Sequence, residues 1–453
     1  MTVAAPKVEP APPRSAGRWI EHWDPEDTGA WAAGGAKVAR RNLVWSILVE
    51  HVGFSVWLLW SAVVVYLPAA GFGFSVDQLF WLVALPNLVG ATMRFPYTFA
   101  VARFGGRNWT LVSALLLVLP LTLLGLCVTH PGTPYAMFLA AAATAGLGGG
   151  NFASSMANIS HFYPDARKGA ALGINAAGGN IGVSTVQLVV PAVVALGVAS
   201  AAAPALGNVL LVWVPATLVV AVGAWLSMDN LRGARSPIAE QLLAAKRPQT
   251  WVMALLYVGT FGSFIGYGAA MPLLMKTQFP DVHGVYYAFL GALVGSAFRP
   301  LGGMLADRVG GARITVTVFV AMGVLVLGVV AAVRAGSFAA FLSCFIALFA
   351  LTGVGNGSTY RMIPAIFRAQ VADEGTARRQ GAAALGLVSA VGAYGGFLVP
   401  RSFGLSVAHT GGIAAALYGF VVFYAACMGL TWFCYLRRRV LIAQVPSLAH
   451  ARV

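Results

Sequence analysis

The chain has 453 residues, 59% of them hydrophobic and 9% charged, and a net charge of +15. A soluble domain carries about 25% charged residues, so these figures exclude a soluble globular protein and indicate a polytopic membrane protein. In a soluble chain the basic balance would point to nucleic acid. Here it has a topological cause, and no nucleic-acid partner is expected.

The first 41 or so residues are polar, Pro-rich and charged, with no cleavable signal peptide. The stretch "EHWDPEDTGAWAAGGAKVARRN" reads as an amphipathic or loose lead-in. Twelve apolar runs long enough to span a bilayer follow, at 43–67, 79–102, 109–129, 134–158, 169–196, 207–228, 251–274, 284–306, 313–333, 338–360, 381–400 and 411–436. Lipid offers the backbone no hydrogen-bond partner, so these runs are expected to be helices and the fold an all-α membrane bundle. The polar stretch "MDNLRGARSPIAEQLLAAKRPQT" separates runs six and seven. The expected organisation is a tail (1–41), a six-helix half (42–228), a linker (229–250), a second six-helix half (251–436) and a second tail (437–453). Cys127, Cys344, Cys427 and Cys434 lie in apolar runs without CxxC spacing and read as small buried hydrophobes.

Lys and Arg set the orientation. Of 29 basic side chains, 24 fall in segments facing one side and three (Lys276, Arg334, Arg401) on the other. The positive-inside rule places the first side, with both termini, in the cytoplasm. The remaining two, Arg94 and Arg299, fall within spans.

These two arginines mark an internal repeat. "RFPYTFAVARFGGR" from Arg94 and "RPLGGMLADRVGGAR" from Arg299 each place a second Arg nine residues on (Arg103, Arg308), followed by a Gly-Gly pair. The offset is 205 residues. "GLGGGNFASSM" from Gly146 echoes "GVGNGSTYRM" from Gly353, and "AALGINAAGGN" echoes "AALGLVSAVGA". Two six-helix halves in parallel repeat resemble the major facilitator superfamily, whose substrate site lies at mid-depth between the halves.

Nine residues of helix rise about 14 Å, so Arg94 and Arg299 lie near mid-bilayer. Snorkelling to an interface is one reading, and neutralisation by an intramembrane acid is another. Of 14 acidic residues, Glu50 alone lies well inside a span. Two arginines against one carboxylate leave excess positive charge, and a buried charge faces a partner or a water-filled cavity. A small anionic substrate supplies that partner, and the planar guanidinium fork suits an oxyanion. The Gly-rich runs allow close helix approach, either as generic packing or as a site of a few atoms. Asn151, Asn158, Asn175 and Asn180 add amides within them.

The run "AGLGGGNFASSMANISHFYPDARKGAALGINAAGGNIG" resembles the nitrate signature of the NarK-type nitrate/nitrite porter family of the major facilitator superfamily. "GVGNGSTYRMIP", "LYVGTFGSFIGY" and "KTQFPDV" are similar to its other motifs, and the likeness covers nearly the whole chain. It implies that Arg94 and Arg299 hold nitrate or nitrite, that Phe152 stands beside the anion, that Asn175 and Tyr257 are polar contacts, and that Phe261 packs nearby. Gly173, Gly178, Gly386, Gly392 and Ser389 match positions in gating helices. It implies no cofactor, a multi-pass protein of the bacterial inner membrane, and a functional monomer.

Glu50 and His51 sit about 12 Å into the first span. They are either a proton-coupling pair or, for Glu50, a structural ion pair with a nearby Arg. One branch of the family exchanges nitrate for nitrite; another carries "EH" in its first span and resembles nitrate/proton symporters. The expected activity is nitrate uptake by alternating access with protons, the alternative nitrate/nitrite antiport. Asp307 with Arg308, in "DRVGG", is expected to clamp neighbouring helix ends. Arg361 reads as a positive-inside residue and Arg401 as an interfacial anchor. With no HExxH, GxSxG or paired His/Asp at helical spacing, an intramembrane enzyme is not expected.

Overall fold

A computed structural model of the chain describes residues 14–196, 204–233, 238–437 and 448–449. Lys7, Arg235, Arg438, Arg439 and Arg452, counted above for orientation, lie outside the described residues, as do the first 13 residues and most of the second tail.

The apolar runs are helices. Span one is a bent pair, Thr28–Trp57 and Leu59–Tyr66, meeting at 45°. Span two is Val76–Phe104, three Gly106–Thr129, four Tyr135–Phe162, five Asp165–Val194 and six Leu206–Ser227. Span seven is Pro248–Gln278, eight Gly284–Val309, nine Gly311–Arg334, ten Phe338–Gln370, eleven Glu374–Thr410 and twelve Ala414–Leu436. Several outrun their apolar stretches. Span ten continues ten residues past the expected end, and span eleven starts at Glu374 because Asp373 caps it, accepting from Thr376 N at 2.7 Å. Hydropathy marks the hydrocarbon, whereas caps mark where a helix ends.

The Gly-Gly pairs of the repeat have a local cause. Gly105 and Gly310 hold φ of 87° and 101°, a region L-residues avoid. Each ends one span and turns the chain directly into the next, giving spans three and nine the same start in both halves.

Both the residues from Arg14 to Ile20 and the following stretch, expected to be amphipathic or loose, are docked. Arg14–Ser15 (β1) pairs antiparallel with Trp19–Ile20 (β2), which pairs parallel with Asn230–Leu231 (β3) after span six. Arg18 donates to Asp229 Oδ1 from Nε (3.1 Å) and Nη2 (2.9 Å). Arg41 pairs with the same carboxylate, and Asn42 exchanges two hydrogen bonds with Asp229 at 3.1 and 2.8 Å. Trp23 donates to His161 O at 3.1 Å. A fully buried carboxylate needs paired charge, and the lead-in supplies it.

Within the halves, span two packs along four, and eight along ten, through glycines. A Cβ at Gly353 would lie 2.2 Å from Gly295 O, a backbone atom that cannot yield. Gly353→Ala is therefore expected to destabilise the carrier by about 2 kcal/mol, read as a fall in Tm in detergent. Gly303→Ala, with nothing within 4 Å of its Cβ, is the control that should leave Tm unchanged. Between the halves, span five packs against eight and span two against eleven.

Candidate functional site

Arg94 on span two and Arg299 on span eight occupy equivalent places in the two halves, 1% and 7% exposed. Arg94 Nε donates to Gly149 O at 3.3 Å. Its Nη1 crosses to the other half and donates to Ser389 O and Ser389 Oγ, both at 2.9 Å. The guanidinium lies against two phenyl rings from opposite halves, Phe152 at 4.6 Å and Phe261 at 5.2 Å, with Trp57 at 5.6 Å. Arg299 Nη2 donates to Tyr257 OH at 3.3 Å and stands 5.5 Å over Tyr360. Among the described residues nothing accepts from Arg94 Nη2 or Arg299 Nη1. Each desolvated cation thus keeps N–H groups uncommitted, a costly arrangement that a small anion reverses.

Local backbone irregularity aims these groups. Residues Val258–Gly262 of span seven form a π-bulge, which rotates the helix face locally. It lies between Tyr257 and Ser263 and stacks Tyr257 on Phe261 at 5.3 Å. Phe261 lies 6.4 Å from Phe152 across the seam. A continuous ring chain therefore links the two guanidinium groups. Gly392 lets span eleven approach: a Cβ there would meet Tyr257 at 2.4 Å. Gly178 does the same for span five against Ile47 of span one, at 2.4 Å. Gly173 and Gly386 face open space. Ser389, expected only as a gating position, touches Arg94 directly.

A cavity of about 1150 Å³ enters from the end rich in Lys and Arg and reaches Arg299, Tyr360 and Met156. Beside it Asp307 joins span eight to span ten through Arg361 at 2.5 Å. Asp307, expected to clamp neighbouring helix ends together with Arg308, pairs here with Arg361 of span ten. Arg378 of span eleven reaches across to Asp165 of span five.

The opposite end is closed. Arg401, expected as an interfacial anchor, is buried there, 2.8 Å from Asp77 of span two and stacked 4.2 Å over Trp81. Deeper in the bundle, near the level of Arg94, Thr92 bonds Tyr394 at 3.0 Å between the halves. Asp77→Asn leaves Arg401 without its counter-charge in the closed seam. The variant is expected to shift the carrier toward the state open at that end. An Ala177→Cys label in the cavity should then react more slowly from the basic end, by about threefold or more.

Residues 52–400 match the Major Facilitator Superfamily. The chain is 43% identical over 446 residues to the "Nitrate/nitrite transporter NarU" of Salmonella typhimurium, covering 93% of this chain and 96% of that protein. It is 37% identical over 444 residues to the "Probable nitrate/nitrite antiporter NarK2" of Thermus thermophilus, with 93% and 97% covered. The chain belongs to the NarK-type nitrate/nitrite porter family of the major facilitator superfamily. A D-xylose-proton symporter structure superposes with a TM-score of 0.65 at 14% identity, over 87% of this chain and 97% of that one. An inward-facing bacterial homologue of the lysosomal transporter Spinster gives 0.64 at 17%, over 87% and 96%. At those identities the likeness shows the fold alone. This porter is accordingly a multi-pass membrane transporter and not an enzyme.

In the porter's first half, Glu50 is fully buried. Asn175 Nδ2 donates to Glu50 Oε2 at 2.9 Å and to Ser155 Oγ at 2.6 Å; Ser155 Oγ bonds Ser46 Oγ at 2.8 Å. The amide expected to touch the anion is thus committed to the carboxylate in this conformation. Glu50 Oε1 has no partner among the described residues, and no ion pair joins Glu50 to either arginine there. His51 Nδ1 donates to Gly178 O at 3.1 Å. Trp57, Tyr360 and the Gly149 carbonyl escaped the sequence reading. Trp57 stands seven residues after Glu50, on the same helix face, and that spacing was the available signal.

Proposed function

We propose that the protein carries nitrate across the bacterial cytoplasmic membrane by alternating access, with net uptake coupled to protons. The observation that carries this reading is the pair of buried guanidinium groups, each with an uncommitted N–H, at the seam of the two halves. Relatives named as nitrate/nitrite transporters support nitrate as the anion. The basic end, with both termini, is assigned to the cytoplasm by the positive-inside rule. The carrier works as a monomer, since each half contributes one arginine to a single site.

Coupling rests on Glu50. It is a carboxylate without a cationic partner, one hydrogen bond from Asn175. Protonation removes its charge and releases the Asn175 amide. The antiport reading is favoured by the name of the Thermus thermophilus relative, and the two make opposite predictions. In proteoliposomes of purified protein with no internal substrate, a proton gradient should drive nitrate accumulation. If accumulation appears only when nitrite is loaded inside, and is indifferent to the gradient, the carrier is an exchanger.

A further inference from the structure

The cavity from the basic end reaches as far as Ile181 on span five and Arg299 on span eight. From that depth toward the closed end, span five presents Asn180, level with Ile181, then Ser184 and Gln187, spaced i, i+4 and i+7 and therefore on one face over about 10 Å. They are 1%, 4% and 1% exposed. Among the described residues Asn180 Nδ2 and Oδ1, Ser184 Oγ and Gln187 Oε1 have no hydrogen-bond partner. Only Gln187 Nε2 is engaged. It donates to Gly268 O of span seven at 2.6 Å and to Ser61 Oγ, in the outer limb of span one, at 3.4 Å.

Some buried polar groups of the bundle bond back to their own helices, while others, Asn151 and Thr217 among them, also lack a partner among the described residues. Asn42 and Asn87 donate to the carbonyls of Val38 and Val83, Ser55 to that of His51, Thr110 to that of Gly106. This back-bonding is the usual refuge of a polar side chain in a buried helix. Asn180 and Ser184 do not use it. Four orphaned polar atoms on one face of one helix, at the seam where the halves meet, are a stored penalty in this conformation.

We propose that Asn180, Ser184 and Gln187 line the second half of the anion's route, sealed here against the other half and forming a transient binding station for nitrate when the opposite end opens. This rests on the alternating-access reading above. Neutral amides and a hydroxyl suit a passage, because they replace the anion's water without trapping it as a charge would. Opening parts Gln187 from Gly268 and hydrates all three side chains together.

The test uses Ser184→Cys in sealed vesicles of known sidedness, with the unsubstituted chain and its four native cysteines as the blank. A small membrane-impermeant methanethiolsulfonate added opposite the basic end should label Ser184→Cys above the blank, and saturating nitrate should change that rate. A transport-competent Ser184→Cys carrier that labels from the basic end alone, or from neither, overturns the proposal.

Asn180→Leu gives an independent reading. No partner of Asn180 is lost in the closed state, so its Tm should match or exceed that of the unsubstituted protein. Nitrate exchange should fall about tenfold, as when one hydrogen bond to a charged group is removed from the barrier. Unchanged exchange contradicts the assignment, and so does a fall in Tm. If the unsubstituted protein binds no nitrate, the central-site reading fails. Normal binding together with unchanged exchange in Asn180→Leu removes the stripe alone.

Discussion

Arg94→Lys is expected to weaken nitrate binding by about 100-fold, equivalent to about 3 kcal/mol, while the protein stays folded. The charge is retained, so a purely electrostatic site would tolerate the change. This site is not purely electrostatic. Arg94 uses Nε on Gly149 O and Nη1 on Ser389, and the free Nη2 is in fixed register with both. The guanidinium also lies against both Phe152 and Phe261, at 4.6 and 5.2 Å from their ring centres. An ammonium at the same place has three donors, no plane and a tighter hydration shell. It either keeps the carbonyls and loses the anion, or the reverse. Nitrate titration by calorimetry on detergent-purified protein measures the loss, with a single symmetric size-exclusion peak as the control for folding. Affinity within threefold of the unsubstituted protein would refute the assigned role.

Glu50→Gln is expected to abolish gradient-driven accumulation while sparing exchange of nitrate across the membrane. Gln is isosteric with a protonated Glu and cannot titrate, so the variant mimics the loaded proton site permanently. Each unit of pH gradient is worth about 1.4 kcal/mol per coupled proton, or tenfold in accumulation. At a gradient of two units the expected loss is about 100-fold in the accumulation ratio for one coupled proton. Counterflow should stay within severalfold, because Asn175 and Ser155 can still bond the new amide oxygen. If Glu50→Gln concentrates nitrate along the gradient, Glu50 does not couple, and attention moves to His51.

The large features of the molecule are legible in the sequence for physical reasons. The absence of water in the bilayer forces helices, so counting apolar runs finds the spans. The repeat makes Arg299 predictable from Arg94, and the shared Gly-Gly corner follows from the same alignment of halves. Helix ends are less legible. Asp373 and Asp27 extend their helices into polar stretches that hydropathy scores as loop.

Within the site, side-chain chemistry is readable and backbone chemistry is not. Nothing in "GLGGG" announces that the Gly149 carbonyl accepts from an arginine, or that Ser389 offers both its oxygens. The π-bulge at Val258–Gly262 is equally silent, since its residues are ordinary helix formers for a membrane. Asn175 illustrates a different limit. Its position was implied by resemblance, but a resemblance fixes no conformational state, and here the amide faces Glu50. The docking of residues 14–23 was missed because Asp229, the group that holds Arg18, lies 211 positions away.

That anchorage has a counterpart in the other half, where Tyr435 at the end of span twelve donates to Gln249 at the start of span seven. Asp229 ties Arg18, Arg41 and Asn42 to the exit of span six, so the first and last helices of the amino-terminal half are buckled into a closed ring at their basic ends. A closed ring of helices resists shear far better than an open fan. Torque applied at the seam is then transmitted through this half as through a stiff lever arm. With each half tied at its basic end, the compliance needed for turnover is left to the Leu58 elbow of span one and the bulge at Val258–Gly262 of span seven.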